Sequence, residues 1–473
     1  MRFITQVAVD PARRPLIGAT DAFTGWAARI TRTVTARSPG WRTTELQAAV
    51  IAPEIGSALE QRSDPAPSRD LTDDEARDWL ARFDIYNPEL PAVIDQVLTY
   101  ARTNCPVAHS PANDGFHLVT RYKDVTAVLR NDSLFSSAHG KSLPHRQTVL
   151  MPPLDSDPPL HGEFRRLLNP FLSRPGLKPF TDDVRRIAAD IIGQFAGRSE
   201  IDVHDDFASP LTATVLAKVI LGIGDLDEVR RVQTLVDAIG RGNASAAWAK
   251  LQDYVVALLA VRRAEGPGRG DILDAILYGQ VDGRPLTQEE QRGATTVLLL
   301  GGLDTTTGAI GSIIYRMTKD PAVEQRVRDP GWMRHEFDEL LRLDSPVTTE
   351  ARYVTRDTEL AGVPLRAGEY VLLHFGSANR DEAQFASAGR LNLDRSENRH
   401  IAFGIGIHRC IGSNLARLTI SVAFEELLRR VRNIRSASGR EVHFTPGLSW
   451  RPVGLRVAFD AADGTARATG ASA

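Results

Sequence analysis

Residues 403–412, with the sequence FGIGIHRCIG, constrain the structure of this chain more than any other segment. Glycines at positions 404 and 406 allow a tight turn and a close approach of the backbone to a flat ligand, because neither has a side chain. From Ile411 onward, apolar residues recur at helical spacing, which predicts that Cys410 lies at the N-terminus of a helix. Free backbone N–H groups and the positive end of the helix dipole favour a thiolate at that position.

Three other interpretations of Cys410 deserve comparison with ligation of a cofactor. A single cysteine is most often a small buried apolar residue, and a histidine two positions earlier, His408, is compatible with a thiol nucleophile. A zinc site needs three or four ligands, and the only other cysteine, Cys105, is about three hundred positions away. None of these explains three glycines around a phenylalanine, a histidine and a cysteine.

The stretch resembles the cysteine loop of the cytochrome P450 family, in which this sulfur is the proximal ligand of the haem iron. The resemblance implies haem b (iron-protoporphyrin IX) as cofactor and Cys410 as the metal ligand. It also places Phe403 and Gly404 in the cofactor-binding loop and gives His408 a haem propionate as partner.

A second match lies in residues 157–166, with the sequence DPPLHGEFRR. His161 and Arg165 are four residues apart on a predicted helix, so they share one face. A solvated His/Arg pair is common, but the phrase is similar to the family helix whose His and Arg bind a haem propionate. An Arg guanidinium is well suited to a carboxylate.

The third match is the centre of a long helix, which the capping pair Thr287 and Glu290 predicts to begin there and to run to residue 319. Apolar residues on nearly all faces predict that it is buried. Gly301 and Gly302 in its middle each cost about 1 kcal/mol relative to Ala, which indicates a functional gap. Residues 301–306 (GGLDTT) are similar to the family's oxygen-binding groove, whose catalytic pair would be Asp304 and Thr305. The alternative is a helix kink with satisfied polar groups.

Two further matches follow. Glu339 and Arg342 are similar to the family's Glu-x-x-Arg signature, a buried network that Arg395 would complete. Arg352 matches a second propionate-binding position. We also expect the helix that carries Glu339 to begin at Asp329, and residues 441–444 to form a closing hairpin with residues 455–459.

These matches occur in the family's order over about 400 residues, and they imply a mostly helical fold with a smaller β-rich region, of the cytochrome P450 type. We expect one haem-thiolate domain at residues 71–461, an N-terminal extension of unknown role at 1–70, and a disordered tail at 462–473. Within the domain, residues 225–265 hold two helices joined around 240–245. In the family such a pair forms the lid over the substrate.

The composition indicates which partners and which cellular compartment to expect for this chain. A net charge of −2 gives no bias toward nucleic acid or anionic membranes. Two distant cysteines leave no disulfide framework, which favours the cytoplasm. The sequence contains no run of about 18 consecutive apolar residues, so we expect no membrane span. The chain therefore resembles the bacterial members of the family that lack an anchor.

The resemblance implies a monooxygenase that inserts one atom of dioxygen into a C–H bond of an apolar small molecule, with Asp304 and Thr305 delivering protons. Candidate substrate contacts are residues 135–150, the lid, Leu298 and residues 347–348. Electrons would come from a ferredoxin and its reductase, attracted by basic residues around the loop with little acid nearby, namely Arg399, His400, His408, Arg409 and Arg417. The alternatives are a peroxide-driven oxygenase and a haem gas sensor or electron carrier.

Overall fold

A computed structural model describes residues 70–143, 149–195, 197–223, 226–240, 245–437 and 442–462. Apart from Asp70 and Ala462, the predicted N-terminal extension and C-terminal tail lie outside the described residues. The centre of the predicted joint between the lid helices, residues 241–244, also lies outside them.

Helices make up most of the described chain. In order they are α1 (Asp73–Ala81), α2 (Ile94–Asn104), α3 (Tyr122–Leu129), α4 (Leu160–Leu172), α5 (Arg174–Leu177), α6 (Thr181–Gly193), α7 (Ser209–Val215), α8 (Leu226–Gly240), α9 (Ser245–Glu265), α10 (Ile272–Tyr278), α11 (Gln288–Lys319), α12 (Pro321–Val327), α13 (Glu336–Asp344), α14 (Phe375–Ala378) and α15 (Ser413–Arg430). Two π-helical segments, Val203–Ala208 and Leu216–Leu221, extend α7 at both ends.

Strands are short and form five small sheets. They are β1 (Val107–Ser110), β2 (Phe116–Val119), β3 (Phe135–Ser136), β4 (Glu200–Asp202), β5 (Gln280–Val281), β6 (Arg284–Pro285), β7 (Thr349–Val354), β8 (Thr358–Leu360), β9 (Val363–Leu365), β10 (Tyr370–His374), β11 (Val431–Ser436), β12 (His443–Phe444), β13 (Pro452–Val453) and β14 (Arg456–Ala461). The largest sheet has the order β1-β2-β10-β7-β3. Its β7 and β10 are antiparallel, with Arg352 opposite Val371, so the sheet fixes the position of a predicted cofactor-binding residue.

Helix α11 is the central element. Its predicted capping box is present, since Thr287 and Glu290 each accept a hydrogen bond from the other's backbone N–H. It packs against α7, α8, α9, α10, α12, α13 and α15 and against strands β11 and β13. Among the described residues it is the one helix long and apolar enough to cross a membrane, but 72% of its most apolar window is buried inside the protein. That burial makes it the core helix of the domain.

Two local predictions are wrong. The helix that carries Glu339 begins at Glu336, because Asp329 instead accepts a hydrogen bond from the Gly331 N–H in a turn that precedes a short 3₁₀ segment. Residues 443–444 pair with β13 and not with residues 455–459, which belong to β14 between β11 and β4. A seven-residue turn, residues 445–451, closes the first hairpin, which sequence periodicity did not reveal.

Candidate active site

The cysteine loop is a series of backbone turns that two glycines permit. The Cys410 N–H donates to the carbonyl of Phe403 at 2.8 Å, and the Arg409 N–H donates to that of Gly406 at 3.2 Å. Gly404 and Gly406 have φ angles of +63° and +72°, which L side chains rarely adopt. At Gly406 a Cβ atom would also lie 2.4 Å from the Leu129 carbonyl oxygen. Gly406 therefore fixes the loop against α3.

The thiol of Cys410 differs from the sequence expectation. Helix α15 begins at Ser413, with Gly412 as its N-cap, so Cys410 precedes the helix by three residues. Burial raises the pKa of the thiol, and a hydrogen bond from the Gly412 backbone and the charges of Arg165 and Arg409 oppose that increase only in part. The predicted lowering of the thiol pKa by backbone N–H groups is present at Gly412, but the larger effect of burial gives the opposite net direction. The charge of a bound metal ion is what makes a coordinating thiol a thiolate.

Four predicted propionate partners come from three separate elements. His161 and Arg165 lie on α4, Arg352 on β7 and His408 in the cysteine loop. The rings of His161 and His408 are 4.4 Å apart. Arg165 Nη1 donates to the Arg409 carbonyl at 2.9 Å, which joins α4 to the loop. The structure thus brings together residues that are up to 247 positions apart in the chain.

Both imidazoles in this cluster have an unused nitrogen. Nε2 of His161 and Nε2 of His408 are buried and have no hydrogen-bond partner among the described residues. Burial lowers the pKa of both rings, that of His408 to about 2. Each ring is therefore neutral and can donate one hydrogen bond. Such donors beside two arginines suit a ligand with carboxylate groups.

The Cys410 side chain lies close to this cluster, since it interacts electrostatically with Arg165. Cys410 is exposed to solvent, although surrounding protein atoms are close enough for burial to dominate its pKa. An exposed sulfur near buried donors and arginines is the set of groups that a haem requires. The residues present therefore fit this cofactor.

The middle of α11 opens onto a free space. A Cβ atom at Gly301 would meet nothing within 4 Å, whereas one at Gly302 would lie 2.9 Å from a methyl group of Leu216. Thr305 Oγ1 donates to the Gly301 carbonyl at 2.8 Å, as expected for a hydroxyl four residues later. The two glycines thus have different roles, because only Gly301 faces the open space.

Asp304 is buried and has partners that lie far away in the sequence. Oδ2 accepts a hydrogen bond from the hydroxyl of Ser449, and Oδ1 lies 3.4 Å from Nη1 of Arg451. A carboxylate at this depth needs such compensation. The catalytic residue predicted from the sequence is therefore held by the turn between β12 and β13.

The predicted network under the cysteine loop is present. Arg342, fully buried, donates to both oxygens of Glu339 at 2.7 and 2.8 Å. Arg395 Nε donates to Glu339 Oε2 at 2.8 Å. The guanidinium groups of both arginines lie over the ring of Phe385.

The predicted basic surface is partly wrong. Arg417 and His400 both pair with Asp338, at 2.5 and 3.2 Å, and His408 is buried with the propionate partners. Arg399 and Arg409 remain exposed. Asp338, the acid that pairs with Arg417 and His400, lies on α13, more than sixty positions away from both in the sequence. Inspection of the loop sequence alone therefore did not find it.

Ser449, Arg451 and Glu350 were missed at the sequence level. Glu350 Oε2 lies 3.2 Å from Nη2 of Arg352. The one signal for the first two is Asp304 itself, because a carboxylate in a buried helix implies a counter-ion somewhere in the chain.

The fold, the cysteine loop and the cluster of unused donors and arginines fit a haem protein. The family model for cytochrome P450 matches residues 241–329 and 333–457. Cytochrome P450 109 of Bacillus spizizenii is 33% identical over 355 residues, which cover 72% of this chain and 85% of that protein. Steroid C26-monooxygenase of Mycobacterium tuberculosis is 30% identical, over 74% of this chain and 97% of that protein.

Solved structures agree. CYP109Q5 from Chondromyces apiculatus has a TM-score of 0.71 and 28% identity, over 81% of this chain and 99% of that one. CYP109E1 from Bacillus megaterium in complex with testosterone has a TM-score of 0.69 and 27% identity, over 82% and 99%. This chain belongs to the cytochrome P450 family and is of the bacterial type. It is a monooxygenase with haem b as cofactor and with dioxygen and a small molecule as substrates.

Proposed function

We propose that this monooxygenase binds its haem iron through Cys410 and oxidises a C–H bond of an apolar small molecule with electrons from a ferredoxin. The observation that carries the proposal is the exposed Cys410 side chain close to Arg165, which belongs to the cluster with the two unused histidine nitrogens. When bound, haem b supplies the redox chemistry that activates dioxygen. The protein residues hold it, orient the substrate and handle protons.

The propionates would be held by His161, Arg165, Arg352 and His408. Arg352 is buried and forms an ion pair with Glu350, so its guanidinium offers a positive charge at a fixed position. The neutral imidazoles offer one N–H each. Phe403 and Gly404 would contact the haem from the cysteine loop, and the open space at Gly301 would leave room for it beside α11.

Asp304 and Thr305 are proposed as the proton-handling pair. Thr305 Oγ1 stands beside the open space at Gly301, where it can order water. Asp304 is the nearest carboxylate in the chain, one residue earlier, and it can pass protons to that water. A peroxide-driven enzyme has no need of this pair, which favours use of dioxygen and reductant.

The substrate is proposed to be apolar. Leu298 is buried on α11 and Val347 packs beside the strand β7. One relative is named as a steroid monooxygenase, and one structural neighbour holds testosterone. Steroids are therefore the first class to screen for a shift of the Soret band.

The redox partner is proposed to be an acidic ferredoxin, itself reduced by a ferredoxin reductase. Exposed Arg399 and Arg409 flank the cysteine loop, and Arg130 is exposed next to the site where Gly406 contacts α3. Such a patch steers a partner of opposite charge. Reversal of charge in Arg409→Glu should slow reduction and weaken its salt dependence, while the distant Arg366→Glu should not. Equal rates in both variants would remove the patch from the account.

We also infer a cytoplasmic location, which is supported by the lack of a disulfide between Cys105 and Cys410, the two cysteines of the sequence.

The ligand assignment is tested by spectroscopy. Reduced protein with carbon monoxide should show the red-shifted Soret band of a thiolate-bound haem, and Cys410→His should abolish that band. Cys105→Ser is the matched control and should keep it. An unchanged spectrum in Cys410→His would refute the assignment. Product formation with reductant, ferredoxin and dioxygen, compared with hydrogen peroxide alone, then separates the two modes of oxidation.

A further inference from the structure

The turn between β12 and β13 packs directly against the catalytic face of α11. Gly308 and Gly311 lie four and seven residues after Asp304, and these spacings place all three on one helix face. A Cβ atom at Gly308 would lie 3.3 Å from Arg451 Cβ and 3.3 Å from the Trp450 carbonyl oxygen. One at Gly311 would lie 3.0 Å from the ring of Pro452. The absence of side chains at these positions lets the turn reach the helix.

At the end of this face the turn meets Asp304. Ser449 and Arg451 contact different oxygens of the carboxylate. The Arg451 side chain is only 4% exposed and that of Asp304 only 9% exposed, so water screens their interaction weakly. The carboxylate is therefore held in one orientation by two groups of the same turn.

The turn is itself held from two sides. Within it, Thr445 Oγ1 donates to the Ser449 carbonyl at 2.6 Å, and the Thr445 N–H donates to the Arg451 carbonyl at 3.1 Å. Towards β7, the Trp450 N–H donates to the Pro346 carbonyl at 2.9 Å and the Thr348 N–H donates to that of Leu448 at 2.9 Å. Ser449 and Arg451 consequently have little freedom to move independently of the core.

We propose that Ser449 and Arg451 are positioning residues for Asp304. Arg451 pairs with one oxygen of the carboxylate and Ser449 fixes its rotation, so that Asp304 stays at the turn of α11 that carries Thr305. The proposal rests on the proton-handling role proposed for Asp304. It assigns a function to the C-terminal turn, which contributes no group to the cofactor cluster described above.

The test measures product and hydrogen peroxide together, per reductant consumed, in the haem-loaded protein. Arg451→Met and Ser449→Ala should lower the product-to-peroxide ratio, by about 10-fold for the arginine, as is typical for a residue that orients a reacting group. Arg451→Lys should recover part of the loss, because it keeps the charge. Arg316→Met is the matched control. It breaks another ion pair of α11, that with Asp344 at 2.5 Å, and should lower stability without changing the ratio.

A merely structural role would give additive effects in the double variants. Non-additivity is therefore the result that distinguishes a positioning role from a structural one. In an Asp304→Asn background, Arg451→Met and Ser449→Ala should lower the ratio no further, because they act through the missing carboxylate. The midpoint of unfolding by urea should also be non-additive for Asp304→Asn and Arg451→Met.

The outcomes separate the two proposals. If Asp304→Asn leaves the ratio unchanged, the proton-handling role is wrong and the positioning role falls with it. If Asp304→Asn lowers the ratio while Arg451→Met and Ser449→Ala do not, only the positioning role is wrong. Additive effects in the double variants would overturn it as well. Should Arg451→Met fail to fold, Ser449→Ala, which removes one oxygen atom, decides the question.

Discussion

The cysteine loop and the centre of α11 are built in opposite ways. The loop is a contiguous stretch whose backbone–backbone hydrogen bonds join residues within ten positions of each other, such as the bond from the Cys410 N–H to the Phe403 carbonyl. The centre of α11 depends on Ser449, which is 145 positions from Asp304. Hence the geometry of the first region is a local property of the chain, and that of the second is a property of the whole fold.

The difference also concerns glycine. In the loop, Gly404 and Gly406 are needed for positive φ angles. In α11 the backbone is helical throughout, and glycines serve to admit a neighbour, as at Gly308, or to leave a space, as at Gly301. Similar residues therefore give a rigid turn in one region and an accessible surface in the other.

We expect the largest loss of stability when the buried network of Glu339, Arg342 and Arg395 is broken. Arg342→Met removes a fully buried guanidinium that donates to Glu339 and to the carbonyls of Asn379 and Ala388. The buried Glu339 carboxylate would lose one of its two arginine partners and keep Arg395, which should lower the free energy of unfolding by about 3–5 kcal/mol, with loss of haem on mild heating. Arg366→Met removes an exposed ion pair and should cost under about 1 kcal/mol. Similar urea midpoints in the two variants would contradict the structural role.

The next prediction concerns the pH dependence of the free energy of unfolding, through the buried Asp155. Burial raises the pKa of Asp155, next to Arg352 and Glu350, to about 6. Because the folded state binds this proton more tightly than the unfolded state, the contribution to stability is full below pH 4 and disappears as pH rises through 6. The change amounts to roughly 3 kcal/mol.

Asp155→Asn should remove that dependence, so unfolding should be measured at pH 4 and pH 7 in both proteins. The variant should be relatively more stable at pH 7. Parallel stability curves for the variant and the parent protein would show that Asp155 does not titrate in this range.

These results bear on what the sequence could reveal. The fold class, the capping of α11, the cysteine loop and the Glu339–Arg342–Arg395 network were predictable, because short motifs and helical periodicity carry them. The partners of Asp304 and of Arg417 were not, since each contact joins segments that only the folded chain brings together. The pKa direction of Cys410 was also not predictable, because burial depends on the whole cleft and not on the helix that follows.

The contrast between glycines gives two smaller effects of opposite sign. Gly406→Ala should destabilise the protein by about 2 kcal/mol, from a positive φ angle and a contact of 2.4 Å with the Leu129 carbonyl oxygen. Gly404→Ala is the matched variant, with a similar φ of +63° but no atom nearer than 3.8 Å. It should cost less. Equal costs in thermal unfolding would mean that the contact with α3 is unimportant.

Gly301→Ala should instead stabilise α11 by up to about 1 kcal/mol, because Ala is the better helix former and no atom lies within 4 Å of the new methyl group. The methyl group would occupy the space beside Thr305, so we expect a higher midpoint of unfolding together with a lower yield of product. Gly302→Ala, which faces Leu216, should lower the midpoint. A lower midpoint for Gly301→Ala than for Gly302→Ala would show that Gly301 is not the glycine that faces the open space.

We propose that the two regions have separate roles, ligation at Cys410 and proton handling at Thr305. The most direct test is Thr305→Ala, measured in one sample for its carbon monoxide spectrum and for product and hydrogen peroxide per reductant consumed. We predict an unchanged thiolate-type Soret band, continued consumption of reductant and a lower product-to-peroxide ratio. An unchanged ratio, or a loss of the band in proportion to the loss of product, would contradict the account.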